Sequence, residues 1–169
     1  SSEADKVLQE KQTEQLGAYV ARTRRAETVA FLSGDFNIDG RTSHGDGTPN
    51  QRYHKLVGTL QSSLDPTGNV TVVSDLVFPT TGNIVPVTHG HTSPTSTLLV
   101  ENQSWNVSEG PGLDYAFMIH PKIRASGRDD TVSVTQYAKV DPMAVNNQKF
   151  TQVSDHMAVV WQISCNITK

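Results

Sequence analysis

Cysteine is almost missing from this chain: Cys165 is the single one among 169 residues. No disulfide can form within the chain, and no cysteine-based zinc site is available. Long apolar runs are also missing, and none approaches the length of a membrane span. There is no cationic excess either. The formal net charge is -3, which argues against a dedicated nucleic-acid binder with a broad basic face, though a local basic cluster fits within such a total. Internal repeats and low-complexity segments are absent. What remains is a polar globular composition, 36% hydrophobic and 18% charged, with enough residues for one domain and a real core. No signal peptide opens the sequence, which a mature secreted protein would also show. Asn-x-Ser/Thr triplets start at Asn69, Asn102, Asn106 and Asn166, but in so Ser/Thr-rich a chain they carry little weight on secretion.

Hydrophobic periodicity organises the chain into a helix, a strand, a second helix, and then three strands or more, an α/β order. Residues 2 to about 25 read as a helix with Ala4, Leu8, Leu16 and Val20 near one face and Tyr19 beside them. Ser2 suits its cap, and Arg22, Arg24 and Arg25 suit its C-terminal end. That basic run reads as a solvated helix end, with a phosphate site as the sharper alternative. Thr28-Val29-Ala30-Phe31-Leu32 reads as a buried strand ended by Gly34, and residues 38–50 as loop. Thr48 as cap and Pro49 in the first turn then open a second helix, in which Tyr53, Leu56, Val57 and Leu60 recur at helical spacing and His54 faces solvent.

From residue 64 to 112 the pattern is poor. A short strand fits within residues 70–77, and the rest is Thr, Ser, Pro, Gly and Asn around His89-Gly90-His91 and Trp105. A loop this long is functional or disordered. His89 and His91 have a spacing that could ligate a metal, but no third ligand is placed by spacing, so a plain loop is the simpler reading. Residues 113–119, 131–136 and 157–163 read as strands, residues 141–153 as loop, and Cys165 as a small residue at the end of the last strand.

Chemistry-bearing residues collect at the edges of the apolar strands. Asp35 and Asn37 follow the first, Asp114 opens another, and Asp155 with His156 precedes the last. Each triplet alone is also ordinary turn chemistry. Strands that converge in one sheet bring such ends together, and an Asp, Asn, Asp and His cluster has a chemical purpose. Carboxylate and carboxamide oxygens suit Mg²⁺ or a positioned water. A histidine beside a carboxylate is held in one tautomer and can act as a general base. The set suits metal-assisted attack of water on a phosphate ester.

Gly34-Asp35-Phe36-Asn37, Leu113-Asp114-Tyr115 and Ser154-Asp155-His156, in this order, resemble the endonuclease/exonuclease/phosphatase superfamily. Within it, the middle of the chain looks most like the bacterial-type neutral sphingomyelinases. The resemblance implies roles. Asp35 would orient or deprotonate the water, Asn37 would hold a phosphate oxygen, and Asp114 would orient the His156 ring. His156 would be the base or a group at the scissile phosphate, and Asp155 would bind or orient near the metal. Asp35, Asn37, Asp155 and His156 are thus the expected metal-proximal set, with Mg²⁺ or another divalent cation as cofactor.

The resemblance spans residues 1–169 but matches only the C-terminal half of the family domain. In the family, the first half supplies an Asn, a metal-binding Glu and a second His, which have no counterpart here. The expected architecture is therefore half of a two-sheet α/β sandwich: one mixed sheet, helices on its outer face, and an apolar inner face that needs a partner. That partner would be the absent N-terminal half as a second chain, or a homodimer through the sheet face, and the chain alone would be an incomplete enzyme.

The expected activity is phosphodiester hydrolysis, with sphingomyelin first and a secreted location. The alternatives are a DNase-like nuclease, an inositol phosphate substrate, and a half-domain that binds a partner without catalysis. A nuclease would need basic residues along its substrate face, and here they are denser in the first helix than around the motifs. A lipid-cleaving enzyme would use exposed loop residues at the membrane surface, for which Phe78, Ile84, Val85 and Trp105 are candidates, each of which could instead be core.

Overall fold

A computed structural model describes residues 2–25, 28–42, 47–68, 71–76, 84–89, 110–121, 131–133, 138–141, 156, 158–161 and 164–166. Trp105, Phe78, His91 and Asp155 lie outside the described residues. The elements are α1 (Glu3–Thr23), β1 (Ala30–Asp35), α2 (Gln51–Leu64), β2 (Thr71–Asp75), β3 (Asp114–Pro121), β4 (Thr131–Ser133), β5 (Ala138–Asp141), β6 (Ala158–Trp161) and β7 (Ser164–Asn166). The chain is of mixed α/β type. A three-stranded sheet has the order β1-β3-β2, and β4 pairs with β7 and β5 with β6. All these pairings are antiparallel. No helix among the described residues is long and apolar enough to cross a membrane.

The core forms where α2 lies on one face of the three-stranded sheet. Tyr53, Leu56, Leu60 and Leu64 are the buried residues of α2, a helical stripe that matches the period of the strand residues beneath it only because each strand offers every second side chain. On β3 those are Tyr115, Phe117 and Ile119, all buried. Leu32 of β1 faces Phe117, and Val73 of β2 faces Ile119. Tyr115 stacks on Phe117 with ring centroids 5.8 Å apart. Burying a side chain such as Phe117 contributes about 3 kcal/mol. The opposite face is less covered. Ala116 and Leu76 are buried there, with Met118 and Val159 packed against them, whereas Phe31 is 37% exposed.

Several sequence expectations need correction. Gly34 does not end the first strand. It pairs with Tyr115, and the ladder runs on to Asp35. Thr48 does not cap α2. Asn50 does, its Oδ1 accepting the Tyr53 N–H at 3.0 Å. The carboxamide wins because its Nδ2 also donates to the carbonyls of Asp39 and Arg41, which a hydroxyl with one hydrogen cannot match. Of the loop residues left open between surface and core, Val85 is core, at 1% exposure, and Ile84 is 40% exposed. Asp141 belongs to β5 rather than to a loop.

The largest correction concerns α1. Ser2 caps it as expected, in a reciprocal box with Asp5. The expected apolar face, however, is turned outward: Ala4 is exposed, Leu8 is 55% exposed and Tyr19 58%, while Leu16 and Val20 are half-buried. The buried residues are Thr13 and Gly17. The helix docks on α2 through small and polar contacts. Gln9 Oε1 accepts from Arg52 at 2.6 Å, Lys55 pairs with Glu10 at 2.8 Å, and Gly17 lies so close to α2 that an added Cβ would sit 2.6 Å from Ser63 Cβ.

The two buried phenols carry a pH dependence. Burial pushes the Tyr53 hydroxyl well above its ordinary value, and the Asp75 carboxylate, which accepts its proton at 2.7 Å, pushes the same way. Burial, then the charge of Asp39, raises Tyr115. A raised folded-state value means that the stabilisation is fully present below the unfolded tyrosine pKa of about 10 and is lost as pH rises beyond it. Denaturation midpoints should therefore fall above about pH 10. Ultraviolet titration should show Tyr53 and Tyr115 ionising only as the protein unfolds, and early ionisation of Tyr115 in folded protein would contradict its placement.

Gly17→Ala sets two effects against each other. Alanine gains about 1 kcal/mol of helix propensity, but overpacking a close contact costs about 1–3 kcal/mol. We expect a net loss in urea denaturation that Ser63→Gly reverses in a double-mutant cycle. A stabilised single variant would show that α1 can move away from α2.

Candidate functional site

The site grows from one register. Asp35, the last residue of β1, faces Asp114, the first of β3. Directly opposed residues of an antiparallel pair project to the same face, and like charges placed so repel. Each carboxylate has its own partners. Asp35 Oδ1 accepts the Asn37 N–H at 2.7 Å, an Asx turn. Asp114 Oδ2 lies 2.9 Å from His156 Nδ1. Nε2 of the same ring lies 3.8 Å from Asp35 Oδ2, beyond hydrogen-bond reach. His156 thus stands between the two carboxylates, partly open to solvent, with 28% of its side chain exposed against 33% for Asp35 and 17% for Asp114.

The turn after β1 aims these groups by alternation. Phe36 points into the core, with its ring edge-on to Tyr115 at 5.9 Å and to Phe117 at 5.5 Å, and its N–H donates to the Leu113 carbonyl at 2.9 Å. Asp35 and Asn37 on either side are exposed. Asn37 adopts φ 53°, a left-handed conformation that asparagine tolerates better than most residues. The hydrogen bonds described for Asn37 run through its backbone: its N–H to Asp35 and its carbonyl, which accepts from Gln9 Nε2 at 2.6 Å. Gly34 has φ +154° with nothing within 4 Å of a would-be Cβ. Backbone conformation rather than space calls for glycine there.

Behind Asp114 the chain is fixed from the 84–89 segment. The fully buried Thr88 accepts the N–H groups of Leu113 and Asp114 on its Oγ1, at 2.8 and 2.9 Å. His89 forms an antiparallel β-bridge with His156, and their rings meet edge to face, centroids 4.7 Å apart. The Tyr115 hydroxyl lies 2.8 Å from the Ile38 carbonyl and 2.7 Å from that of Gly112, joining the loops on both sides of the site.

Of the sequence-derived candidates, Asp35, Asp114 and His156 come together. Asn37 stands beside them, and Asp155 lies outside the described residues. His89, which sequence reasoning treated as loop or as half of a metal pair with His91, belongs to this cluster, and Thr88 supports it. The signal for both was weak, because the partner of each lies far along the chain. Among the described residues, no group of three or more His, Cys, Asp or Glu is placed to hold a metal ion. Asp35, Asp114 and His156 therefore do not complete a metal site by themselves. A groove of about 320 Å³ between α1 and α2, lined by Glu3, Glu10, Arg52 and Lys55 among others, contains none of the site residues.

The role of the Gly34 backbone can be isolated with a matched pair. Gly34→Ala meets no atom, yet it should cost about 1–3 kcal/mol because φ +154° is strained for any residue with a Cβ. Gly58→Ala also meets open space, within α2, and should gain about 1 kcal/mol. Equal effects in chemical denaturation would mean that the bend leading to Asp35 is not required.

No family model, no curated protein and no solved structure matches this chain, so its site is read from its own residues and their geometry.

Proposed function

We propose that Asp35, Asp114 and His156 form the working centre of a phosphodiester hydrolase. The observation that carries this reading is the His156 ring held at Nδ1 by Asp114, 2.9 Å away, with Nε2 turned toward Asp35 Oδ2 at 3.8 Å. A carboxylate at Nδ1 holds the proton on that nitrogen and leaves Nε2 able to accept one. A water oxygen about 2.8 Å from both Nε2 and Asp35 Oδ2 would be hydrogen-bonded to both, oriented by the carboxylate and deprotonated by the imidazole. Asn37, exposed at the rim, is available to donate its carboxamide hydrogens to a phosphate oxygen. A Mg²⁺ ion would need ligands beyond the described residues; bound, it would neutralise charge on the phosphate oxygens. By the family resemblance those ligands include Asp155 and a glutamate from the first half of a two-sheet domain. The less covered sheet face, with Phe31 37% exposed, is consistent with a further layer packed there.

Sphingomyelin remains the first choice of substrate, with a secreted enzyme as its natural setting. At the basic end of α1, Arg24 is committed to the Thr28 carbonyl at 3.1 Å and to Thr71 at 2.5 Å, whereas Arg22 and Arg25 are exposed, so a nuclease stays the second reading. The test assays the full-length protein for phosphocholine release from sphingomyelin and for plasmid nicking, each with Mg²⁺ and with a chelator. His156→Ala should lose about 10²–10⁴-fold in turnover with an unchanged thermal midpoint, and the chelator should abolish activity. Activity retained in His156→Ala would sink the assignment. Nicking without phosphocholine release would move the substrate to DNA. Neither activity would favour a half-domain kept for binding.

A further inference from the structure

The segment carrying Thr88 and His89 is tied to the site at both ends of its side-chain cluster. The N–H groups of Thr88 and His89 donate to the Pro111 carbonyl at 3.1 and 3.2 Å. Thr88 Oγ1 fixes the backbone of Asp114, Asp114 holds His156, and His156 is bridged to His89 through its backbone. The contacts close a circuit through residues that lie far apart in the chain.

A histidine ring turns about a torsion with broad, roughly two-fold wells. The bond from Nδ1 to Asp114 selects which edge of the ring faces that carboxylate, but a hydrogen bond constrains rotation about its own axis least. A second contact is needed to set the plane, and misplacement of a reacting group by 1 Å costs on the order of 100-fold. The His89 ring supplies that contact, with an interplanar angle of 69° and its own backbone pinned to Pro111 and His156.

We infer that His89 is a positioning residue for His156: edge-to-face packing of the two rings sets the plane of the His156 imidazole and keeps Nε2 aimed at Asp35. The inference rests on ring geometry, and only its kinetic consequence depends on the phosphodiesterase reading. Shape rather than a nitrogen is what the contact requires, so another aromatic ring should serve in its place.

The test compares His89→Ala, His89→Gln and His89→Phe in the complete protein, with thermal melts to establish folding. The first readout is the Nδ1-bound proton of His156 in nitrogen-edited NMR. It should be sharp in the parent and in His89→Phe, and broadened or lost in His89→Ala and His89→Gln. The second is turnover, which should fall about tenfold in Ala and Gln at unchanged KM and recover in Phe, tenfold being about 1.4 kcal/mol in barrier. If His89→Ala does not fold, His89→Gln carries the comparison. A sharp His156 signal in folded Ala or Gln protein overturns the inference, as does its loss in folded His89→Phe. A parent that cleaves no phosphodiester, with the NMR pattern intact, overturns the functional reading and leaves the positioning role standing.

Discussion

The register of β1 on β3 is the constraint on which the rest depends. Side chains alternate along a strand, so a slip of one residue would exchange the two faces of the sheet. In the observed register Leu32 faces Phe117 on the helix side, and Asp35 faces Asp114 at the end of the ladder. Slipped by one, β1 would turn its carboxylate toward the aromatic cluster under α2. The rings enforce the choice. Phe36 packs edge-on to both Tyr115 and Phe117, and its N–H reaches the Leu113 carbonyl, so the turn beyond Asp35 fits in one position only. Hydrophobic burial thereby decides where two like charges meet, a placement that electrostatics alone would disfavour.

The parts legible in the sequence are those whose signal is local. Residues 115–119 are a continuous apolar run that reads as a strand, and β3 contains it. Tyr53, Leu56 and Leu60 recur at helical spacing, and α2 buries that face. The strand-edge placement of Asp35, Asp114 and His156 was readable for the same reason. The docking of α1 was not, because it works through Thr13, Gly17, Gln9 and Glu10 rather than an apolar stripe, and the visible apolar residues Leu8 and Tyr19 face outward. The Asn50 cap was hidden because its advantage over Thr48 lies in reaching the Asp39 and Arg41 carbonyls, loop contacts that no helix signature encodes. His89 looked like loop because the residue that gives it meaning, His156, is near only after β3 and β6 are in place.

The arrangement couples stability to chemistry through a single strand. Alternate residues of β3 serve different ends: Tyr115 and Phe117 fill the core with α2 and Ile119 is buried on the same face of the strand, while Asp114 and Ala116 belong to the face that carries the carboxylates. Tyr115 belongs to both systems. Its ring is part of the core, and its hydroxyl lies within hydrogen-bond distance of the Ile38 and Gly112 carbonyls, on the loops that flank Asp35 and Asp114. A ring of the same size without the hydroxyl would keep most of the packing and leave the buried Ile38 carbonyl short of a donor, at a cost of about 1–3 kcal/mol, while the Gly112 carbonyl keeps the Gly40 N–H at 3.2 Å. That cost would fall on the loops that aim Asp35 and Asp114, since the α2 face would still be filled. The polar edge can therefore remain partly open because its geometry is set from behind, by rings and buried hydrogen bonds that solvent does not reach.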